Sequence, residues 1–406
     1  MTSLAESQDL LLQLLDPAIR AHPYPVYQQF RERGPLRLPE LHLTVFSSFS
    51  DCDEVLRHPA SASDRLKSTI AQRQIAEGAE ERPLGAPSFL FLDPPDHTRL
   101  RKLVGKAFAP KVVKGLEPYV GALVSSLLDQ VSADGFDVVA DLAYPLPVAV
   151  ICRLLGVPIE DEPEFSRASA LLAQSLDPFI SFTGDVPDNF DERMAAALWL
   201  RDYFADLIER RRGEPGDDLI SGLIAAEEAG DALTEDEIVS TCDLLLIAGH
   251  ETTVNLIANA VLAMLRHPQH WAALRDDPSR AALVAEETLR YDPPVQLLGR
   301  IAAEDMTICD VTVPKGDVMM LLLAAAHRDP DANERPDEFN PGREMVRHLA
   351  FGHGPHFCLG APLARLESAI ALSAVAARFP DARLAGEPVY KPNVTLRGPA
   401  SLPVTS

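Results

Sequence analysis

Apolar side chains recur at helical spacing through the middle of the chain. Segments 112–131 and 195–212 place apolar residues three and four positions apart, which is typical of amphipathic helices. A Thr-Glu-Asp-Glu sequence at 234–237 forms a capping box, in which the threonine and the last glutamate satisfy each other's free amides. Apart from Gly249, no helix breaker follows for about thirty residues. The pattern predicts a buried central helix over about 234–266, roughly 50 Å long.

Segments with strand character are short and lie towards both ends of the chain. Residues 36–38 and 43–46 predict a hairpin, and a second cluster of short apolar runs extends from 301 to 322. Residues 394–396 are a candidate for a further strand. We expect strands from both ends of the chain to share one sheet.

The chain is expected to fold as a single domain, 1–406. Its 406 residues would allow two or three domains on length alone. No linker or internal repeat divides it, however, and the shared sheet would join its ends. The expected fold class is mainly α with small β-sheets (α+β), and residues 1–20 are expected to form a poorly ordered tail.

The composition narrows the possible functions. A hydrophobic content of 47% is ordinary for a globular protein, and 37 basic against 60 acidic side chains give a net charge of −23, which disfavours binding to nucleic acid. The longest apolar run, Val318–Ala326, is too short for a membrane span, and the first residues resemble no signal peptide. The five cysteines are widely spaced, which argues against a disulfide framework or a structural zinc site. We therefore expect a cytoplasmic protein with no membrane span.

One of the five cysteines, Cys358, has a distinctive setting. The sequence before it is rich in glycine, and Pro362 suits the first turn of a helix that follows. A helix N-terminus favours a thiolate over a thiol. From these residues alone, Cys358 could be a buried structural cysteine, a reactive thiolate, or a catalytic nucleophile assisted by His353 or His356.

The arrangement Phe351-Gly-x-Gly-x-His356-x-Cys358-x-Gly360 resembles the haem-binding signature of the cytochrome P-450 superfamily. The resemblance implies that 351–360 is a haem-thiolate loop, with Cys358 as the axial ligand of haem b (iron protoporphyrin IX) and as the only protein ligand of the metal. It further implies a haem-thiolate monooxygenase that uses O₂ and two electrons to hydroxylate or epoxidise a hydrophobic small molecule. A peroxide-driven peroxygenase and a haem-thiolate sensor or carrier are the alternatives.

Three further motifs resemble the same family and occur in the family's order. Glu287-x-x-Arg290, with Arg343 from a later loop, implies a buried structural ion cluster. His97-x-x-x-Arg101 implies groups that bind the haem propionates. Two other residues are implied to join that pair, and these are Arg300 and His356.

The segment 248–253, in the middle of the predicted central helix, carries an acid next to an alcohol. The Thr252 hydroxyl can bond back to the Ala248 carbonyl and open a groove in the helix. By resemblance, Glu251 and Thr252 are the catalytic residues that deliver protons during O₂ activation, and Ala248 borders the haem. His250 is expected either on the helix surface or in a water network.

A basic run interrupts the acidic chain between residues 97 and 114. It holds six cations and no acidic residue, and these are Arg99, Arg101, Lys102, Lys106, Lys111 and Lys114. The run is either a solvated helix face or a docking patch for an acidic electron carrier. The chain carries no flavin or nicotinamide fingerprint, so we expect a separate ferredoxin and ferredoxin reductase, docking near Arg99, Lys102, Lys106 and Lys111.

By extrapolation from the family, five segments should form the walls of an apolar pocket above the haem. They offer mainly aromatic and aliphatic side chains, which are Phe89, Phe91, Phe179, Phe182, Leu244, Val295 and Leu298. Two of the segments, 61–92 and 171–195, are the expected substrate-access lids. The sequence does not distinguish a fatty acid from a steroid, terpenoid or polyketide.

Overall fold

Helices account for most of the regular structure. The computed structural model describes residues 4–81, 85–132, 134–174, 188–228 and 233–405. The α-helices in these ranges are Leu4–Leu15, Tyr24–Arg33, Phe49–Arg57, Thr69–Ala76, Asp96–Val104, Pro110–Gly115, Glu117–Asp129, Pro145–Leu155, Glu162–Ala173, Phe190–Gly213, Leu219–Glu228, Glu235–Arg266, Pro268–Asp276, Ala281–Tyr291, Leu323–His327 and Ala361–Arg378. This content confirms the predicted fold class, mainly α with small β-sheets.

The predicted central helix is present as Glu235–Arg266, 32 residues long. Thr234 caps it through the expected capping box with Glu237. Helices 145–155, 162–173 and 361–378 pack against it, and most of its side chains are buried. Among the described residues it is the one helix long and apolar enough to cross a membrane, but 78% of its most apolar window lies inside the protein. It is therefore the core element that positions the site.

The strands form small sheets. In chain order they are β1 (Leu36–Leu38), β2 (Leu43–Phe46), β3 (Ser61–Ala62), β4 (Phe136–Asp137), β5 (Leu298–Ala302), β6 (Met306–Ile308), β7 (Val311–Val313), β8 (Val318–Leu321), β9 (Arg383–Leu384), β10 (Val389–Tyr390), β11 (Pro399–Ser401) and β12 (Pro403–Thr405). The largest sheet has the order β1-β2-β8-β5-β3. Parallel pairing of β2 with β8 confirms that strands from both ends of the chain share a sheet.

The N-terminal segment differs from its prediction as a poorly ordered tail. Residues Leu4–Leu15 form a helix, and Leu10, Leu11 and Leu14 are buried. Leu14 lies three positions after Leu11 and four after Leu10, so the three leucines form one apolar face that packs on helix Tyr24–Arg33 and β1.

Two other predicted elements are also corrected. The segment 112–131 is not one helix but two, Pro110–Gly115 and Glu117–Asp129, which meet at Leu116 because Pro118 suits the start of a new helix. The segment 394–396 contributes only an isolated bridge between Leu396 and Val295. The strands of the tail lie on either side of it, β9 and β10 before and β11 and β12 after.

Candidate active site

Tight turns shape the loop before Cys358. Gly352 and Gly354 both have left-handed backbone, with φ of 68° and 69°. A Cβ atom at Gly354 would lie 2.6 Å from the backbone oxygen of Leu56, so a larger residue has no room there. The amide of Cys358 donates to the Phe351 carbonyl at 2.8 Å, which closes the loop and aims Cys358 ahead of helix Ala361–Arg378.

Opposing effects act on the pKa of the Cys358 thiol. Burial raises its pKa, while hydrogen bonds from the backbone amides of Gly360 and Ala361 and the nearby charges of Arg101 and Arg365 lower it. Amide donors to sulfur are the arrangement that stabilises a thiolate ligand and tunes a metal bound to it. A coordinating metal would deprotonate the thiol outright.

Cys358 lies in the wall of a cavity of about 1370 Å³, its open mouth included. The central helix forms one wall and the loop 351–360 forms another. The cavity brings together most of the residues that the sequence singles out, namely Arg101, Ala248, Thr252, Arg300, Phe351, His356 and Cys358. Apolar side chains supply most of the remaining surface, so the cavity suits a large apolar group.

The acid and the alcohol of the central helix are arranged differently from each other. Thr252 Oγ1 donates to the Ala248 carbonyl at 2.7 Å, which is the local bond that the motif predicts, and Thr252 faces the cavity. Glu251 is buried but does not line the cavity. Its carboxylate instead accepts a 2.6 Å hydrogen bond from Lys391 Nζ.

His250 lies neither on the helix surface nor on the cavity wall. It is fully buried, with Nδ1 3.2 Å from Ser169 Oγ and Nε2 3.2 Å from the Tyr144 carbonyl. Burial lowers the pKa of His250 to about 4, so the ring is neutral. The expected surface position is therefore wrong, and His250 joins the central helix to its neighbours.

The four predicted propionate-binding residues lie close together. The rings of His97 and His356 are 4.0 Å apart, and Arg300 is buried. Within the described ranges, neither ring nitrogen of His97 has a hydrogen-bond partner, and the one hydrogen bond of the Arg300 side chain goes to its neighbour's carbonyl, Gly299 O. Arg101 donates to the Phe357 carbonyl.

Electrostatics in this polar cluster favour an anion. Burial lowers the pKa of Arg300 to about 10, and burial together with His97 and Arg300 lowers the pKa of His356 to about 3. The nearby carboxylate of Asp93 opposes both shifts but does not outweigh burial. A group with two carboxylates at the edge of an apolar plane, as in haem b, would satisfy His97 and Arg300, so the residues present fit this cofactor.

The motif Glu287-x-x-Arg290 forms the buried ion cluster that the resemblance implies. Glu287 Oε1 accepts from Arg290 Nη2 at 2.8 Å and from Arg343 Nε at 3.0 Å, and Glu287 Oε2 accepts from Arg290 Nε at 2.9 Å. Glu287 and Arg290 have no exposed surface. The cluster does not line the cavity, which agrees with a structural role.

The basic segment, residues 99–114, divides into inward and outward cations. Arg101 turns inward and lines the cavity. Arg99 is partly exposed and pairs with Glu237 at 2.5 Å, and its place in a docking patch stays a prediction. The outward cations are exposed and are Lys102, Lys106, Lys111 and Lys114. A Cβ at Gly105 would lie 3.9 Å from Leu359, so the segment lies beside the Cys358 loop.

Only part of the predicted pocket wall can be placed. Four of the predicted residues line the cavity, and these are Phe89, Leu244, Val295 and Leu298. Phe91 does not line it, because its ring packs 4.2 Å from the guanidinium of Arg65. Phe179, Phe182 and the part of the 171–195 lid between 175 and 187 lie outside the described residues.

Two polar residues near the site were not predicted. Lys391 lies 140 positions beyond Glu251 in a region without a motif, so no sequence signal indicates its contact. Glu367 lines the cavity fully buried, and burial raises its pKa to about 8. Glu367 lies nine residues after Cys358, on the cavity side of the helix that follows, and this closeness to Cys358 was the signal that could have identified it.

The fold and this site define a protein built to hold a haem against a cysteine thiolate. The family profile described as Cytochrome P450 matches residues 43–381, and the chain belongs to that family. It is 41% identical over 393 residues to a Vitamin D(3) 25-hydroxylase of Pseudonocardia autotrophica, covering 95% of this chain and 94% of that protein.

Solved structures agree with this assignment. The ligand-free crystal structure of Mycobacterium smegmatis CYP164A2 is similar with a TM-score of 0.94 and 67% identity, covering 98% of this chain and 100% of that one. Its complex with econazole has the same TM-score, the same coverage and 66% identity. The chain is thus a cytochrome P450 monooxygenase of the bacterial type, an oxidoreductase whose cofactor is haem b with a thiolate-ligated iron. Bacterial P450s generally take electrons from a redox partner and bind hydrophobic substrates.

Proposed function

We propose that Cys358 is the axial ligand and that the cavity it shares with Thr252 is where a hydrophobic substrate is oxygenated. The observation that carries this proposal is the thiol of Cys358, hydrogen-bonded by the amides of Gly360 and Ala361 in the wall of a cavity that the Thr252 groove also lines. The Cys358→Ser variant should lose the thiolate-type Soret shift of the reduced CO complex. A variant that binds haem and keeps that spectrum would overturn the assignment.

Four side chains, His97, Arg101, Arg300 and His356, are proposed to hold the haem propionates. The support is the unpartnered ring of His97 and the buried, unpaired charge of Arg300 within the described residues. Charge-assisted bonds to two carboxylates would satisfy both. Arg300→Leu should speed the loss of haem to an acceptor apoprotein, whereas Arg37→Leu, on the exposed face of β1, should not. Equal rates of haem loss would contradict the proposal.

Bound haem supplies the binding and reductive cleavage of O₂, which thiolate ligation favours. The Thr252 hydroxyl, held by the Ala248 carbonyl, provides a fixed donor and acceptor at the cavity wall. Glu251, one residue earlier, is the acid that supplies protons from the buried side of the helix. Such groups contribute about 10²–10⁴-fold where proton transfer limits the rate.

Thr252→Ala should consume NAD(P)H while yielding little product, with the missing electrons recovered as hydrogen peroxide. Thr252→Ser keeps a hydroxyl and should restore most of the product. Full product yield in Thr252→Ala would show that Thr252 is not needed for proton delivery, and product formed from peroxide without NAD(P)H would indicate a peroxide-driven peroxygenase. If the enzyme turns over substrate neither with O₂ nor with peroxide, a sensor or carrier would instead be favoured.

The substrate is proposed to be a largely apolar molecule. The residues that support this surround the Thr252 groove, and they are Phe89, Leu244, Leu245, Val295 and Leu298. The names of two relatives agree with it, because one hydroxylates vitamin D(3) and the other binds econazole. Soret titrations with sterols, fatty acids and econazole test the proposal. Shifts produced only by charged, water-soluble compounds would contradict it.

The electron donor is proposed to be a ferredoxin, reduced by a ferredoxin reductase, that docks on the exposed lysines of the basic segment. The supporting observation is that this segment lies beside the Cys358 loop in a chain of net charge −23. A ferredoxin donor implies a reducing compartment, so we place the enzyme in the cytoplasm.

Lys102→Glu/Lys106→Glu should slow reduction by ferredoxin and flatten its dependence on salt. Arg37→Glu/Lys315→Glu changes the net charge equally, at β1 and at the turn before β8, and serves as the control. Equal reduction rates in the two variants would reject the docking site.

A further inference from the structure

A bidentate ion pair lies beside the loop that carries Cys358, and neither of its members lines the cavity. Arg365, on helix Ala361–Arg378, donates from Nε to Glu286 Oε1 at 2.5 Å and from Nη2 to Glu286 Oε2 at 3.1 Å. Glu286 belongs to helix Ala281–Tyr291, so the pair joins two helices that pack against each other. Two parallel hydrogen bonds fix the plane of a guanidinium as well as its position.

His348 holds the carboxylate from another side. The Ala350 amide donates to His348 Nδ1 at 3.3 Å, so the ring proton lies on Nε2, which is 3.1 Å from Glu286 Oε2. Burial alone would raise the pKa of Glu286, but His348 and Arg365 lower it to about 2. The carboxylate is therefore a permanent, well-anchored partner for the guanidinium.

The guanidinium faces the ring of Phe351, at the start of the Cys358 loop. Its Cζ atom lies 4.6 Å from the ring centroid, which is the distance of a cation–π contact. Phe351 lines the cavity, and its carbonyl accepts the Cys358 amide at 2.8 Å. One side chain thus separates the charge of Arg365 from the residue that carries the sulfur.

A fixed cation beside a thiolate ligand affects the two oxidation states of the bound haem differently. Reduction adds one negative charge to the site, so a nearby cation stabilises the reduced state more and raises the reduction potential. The Arg365 side chain is 39% exposed, so water screens part of this charge. We therefore expect an effect of modest size.

We propose that Arg365 is a positioning residue whose charge, held against Phe351 by Glu286, raises the reduction potential of the haem bound to Cys358. The proposal rests on the proposed role of Cys358 as the axial ligand. It is separate from the docking of an electron donor, because it concerns an equilibrium potential and not a rate of encounter.

Redox titration of the holoenzyme tests the charge, with dithionite as reductant, small-molecule mediators and no ferredoxin. At a fixed applied potential, Arg365→Met should lower the ratio of ferrous to ferric protein about threefold to tenfold, which corresponds to about 30–60 mV. Arg365→Lys keeps the charge but loses the bidentate geometry, so its potential should lie between those of Arg365→Met and the wild type.

Arg378→Met is the matched control for this titration. Arg378 lies on the same helix, about 20 Å further along it, and pairs with Asp129 at 3.7 Å on the surface. The substitution changes the net charge equally and should leave the potential unchanged. Equal potentials in Arg365→Met and Arg378→Met would overturn the proposal.

A double-mutant cycle tests whether Glu286 positions the charge. In the Glu286→Gln background the guanidinium loses its anchor, so adding Arg365→Met should shift the potential less than it does in the wild type. Equal shifts in the two backgrounds would show that the charge of Arg365 acts without Glu286, which would reject the positioning role.

The proposed function fails in a different way. If Cys358→Ser binds haem and keeps the thiolate-type spectrum of the reduced CO complex, then Cys358 is not the axial ligand, whatever the potentials of the Arg365 variants. A normal CO spectrum in Arg365→Met, with an unshifted potential, would instead reject the role of Arg365 and leave that of Cys358 intact.

Discussion

Replacing Glu287 with glutamine would keep the size of the side chain and remove the charge that two guanidiniums share. The carboxylate accepts from Arg290 at 2.8 and 2.9 Å, from Arg343 at 3.0 Å and from the Asn340 amide at 2.8 Å. A glutamine side chain offers one oxygen and one NH₂ donor, so at least one guanidinium contact becomes a contact between two donors. The substitution therefore leaves positive charge buried without its partner.

The size of the effect follows from the burial of the cluster. Arg290 has no exposed surface and keeps only carbonyl partners once the carboxylate is gone, among them Pro336 O at 2.7 Å and Glu338 O at 2.9 Å. Removing one partner of a buried ion pair costs about 3–5 kcal/mol. Since folded proteins are stable by only about 5–15 kcal/mol, Glu287→Gln should lose a large share of the free energy of unfolding.

Urea unfolding followed by far-ultraviolet circular dichroism measures this loss. The slope of the unfolding free energy against urea is about 1–3 kcal/mol per molar for small proteins and is larger for a chain of 406 residues, so the midpoint should fall by roughly 0.5–1 M. Arg335→Gln is the control, because it breaks a 2.9 Å pair with Glu338 whose side chains are 61% and 54% exposed. An exposed pair of this kind contributes about 0–1 kcal/mol. If the two midpoints fall equally, the reasoning from burial is refuted.

Three further substitutions test other parts of the site. Gly354→Ala should lower the thermal midpoint and loosen haem binding, because φ is 69° and the new Cβ meets the Leu56 oxygen. Gly78→Ala, at φ 103° in open space, is the control and should lower the thermal midpoint only through backbone strain. Equal falls in the thermal midpoints of the two variants would contradict the packing argument. Burial raises the pKa of Glu367 to about 8, so its contribution to stability is present below the unfolded value of about 4.5 and is lost as the pH rises through 8. Glu367→Gln should therefore flatten the fall in the urea midpoint between pH 5 and pH 9, and an unchanged fall would show that Glu367 is not neutral. Burial lowers the pKa of His250 to about 4, so the free energy of unfolding should fall as the pH drops from about 6.5 to 4, by at most about 3 kcal/mol. His250→Asn should remove this fall from acid titrations of the urea midpoint. A fall that persists in the variant would have its origin in another group.

Local chemistry made part of the site predictable from sequence. The hydrogen bond from Thr252 to Ala248 joins residues four positions apart in a helix, so the motif contains both partners. The capping box at Thr234 and the i,i+3 pair of Glu287 and Arg290 are predictable for the same reason. The resemblance supplied the longer-range grouping of residues around the cavity.

Contacts between distant parts of the chain were not predictable. Lys391 meets Glu251 only because the tail folds back onto the central helix. His250 was misplaced because that helix is buried on most of its circumference, so its polar residues do not mark a solvent face. The pairing of Arg99 with Glu237 was missed because the two residues lie 138 positions apart. In each case the missing information was tertiary.

The parallel pairing of β2 with β8 bears on how the protein is made. Residues 43–46 leave the ribosome about 270 residues before their partners at 318–321. At about 5–20 residues per second, the hairpin of β1 and β2 waits roughly 15–50 s with an open edge. An unpaired strand edge invites association with other chains. Nascent chains stalled before residue 318 should therefore be the species that most needs a chaperone, and the β2 edge is where it should bind.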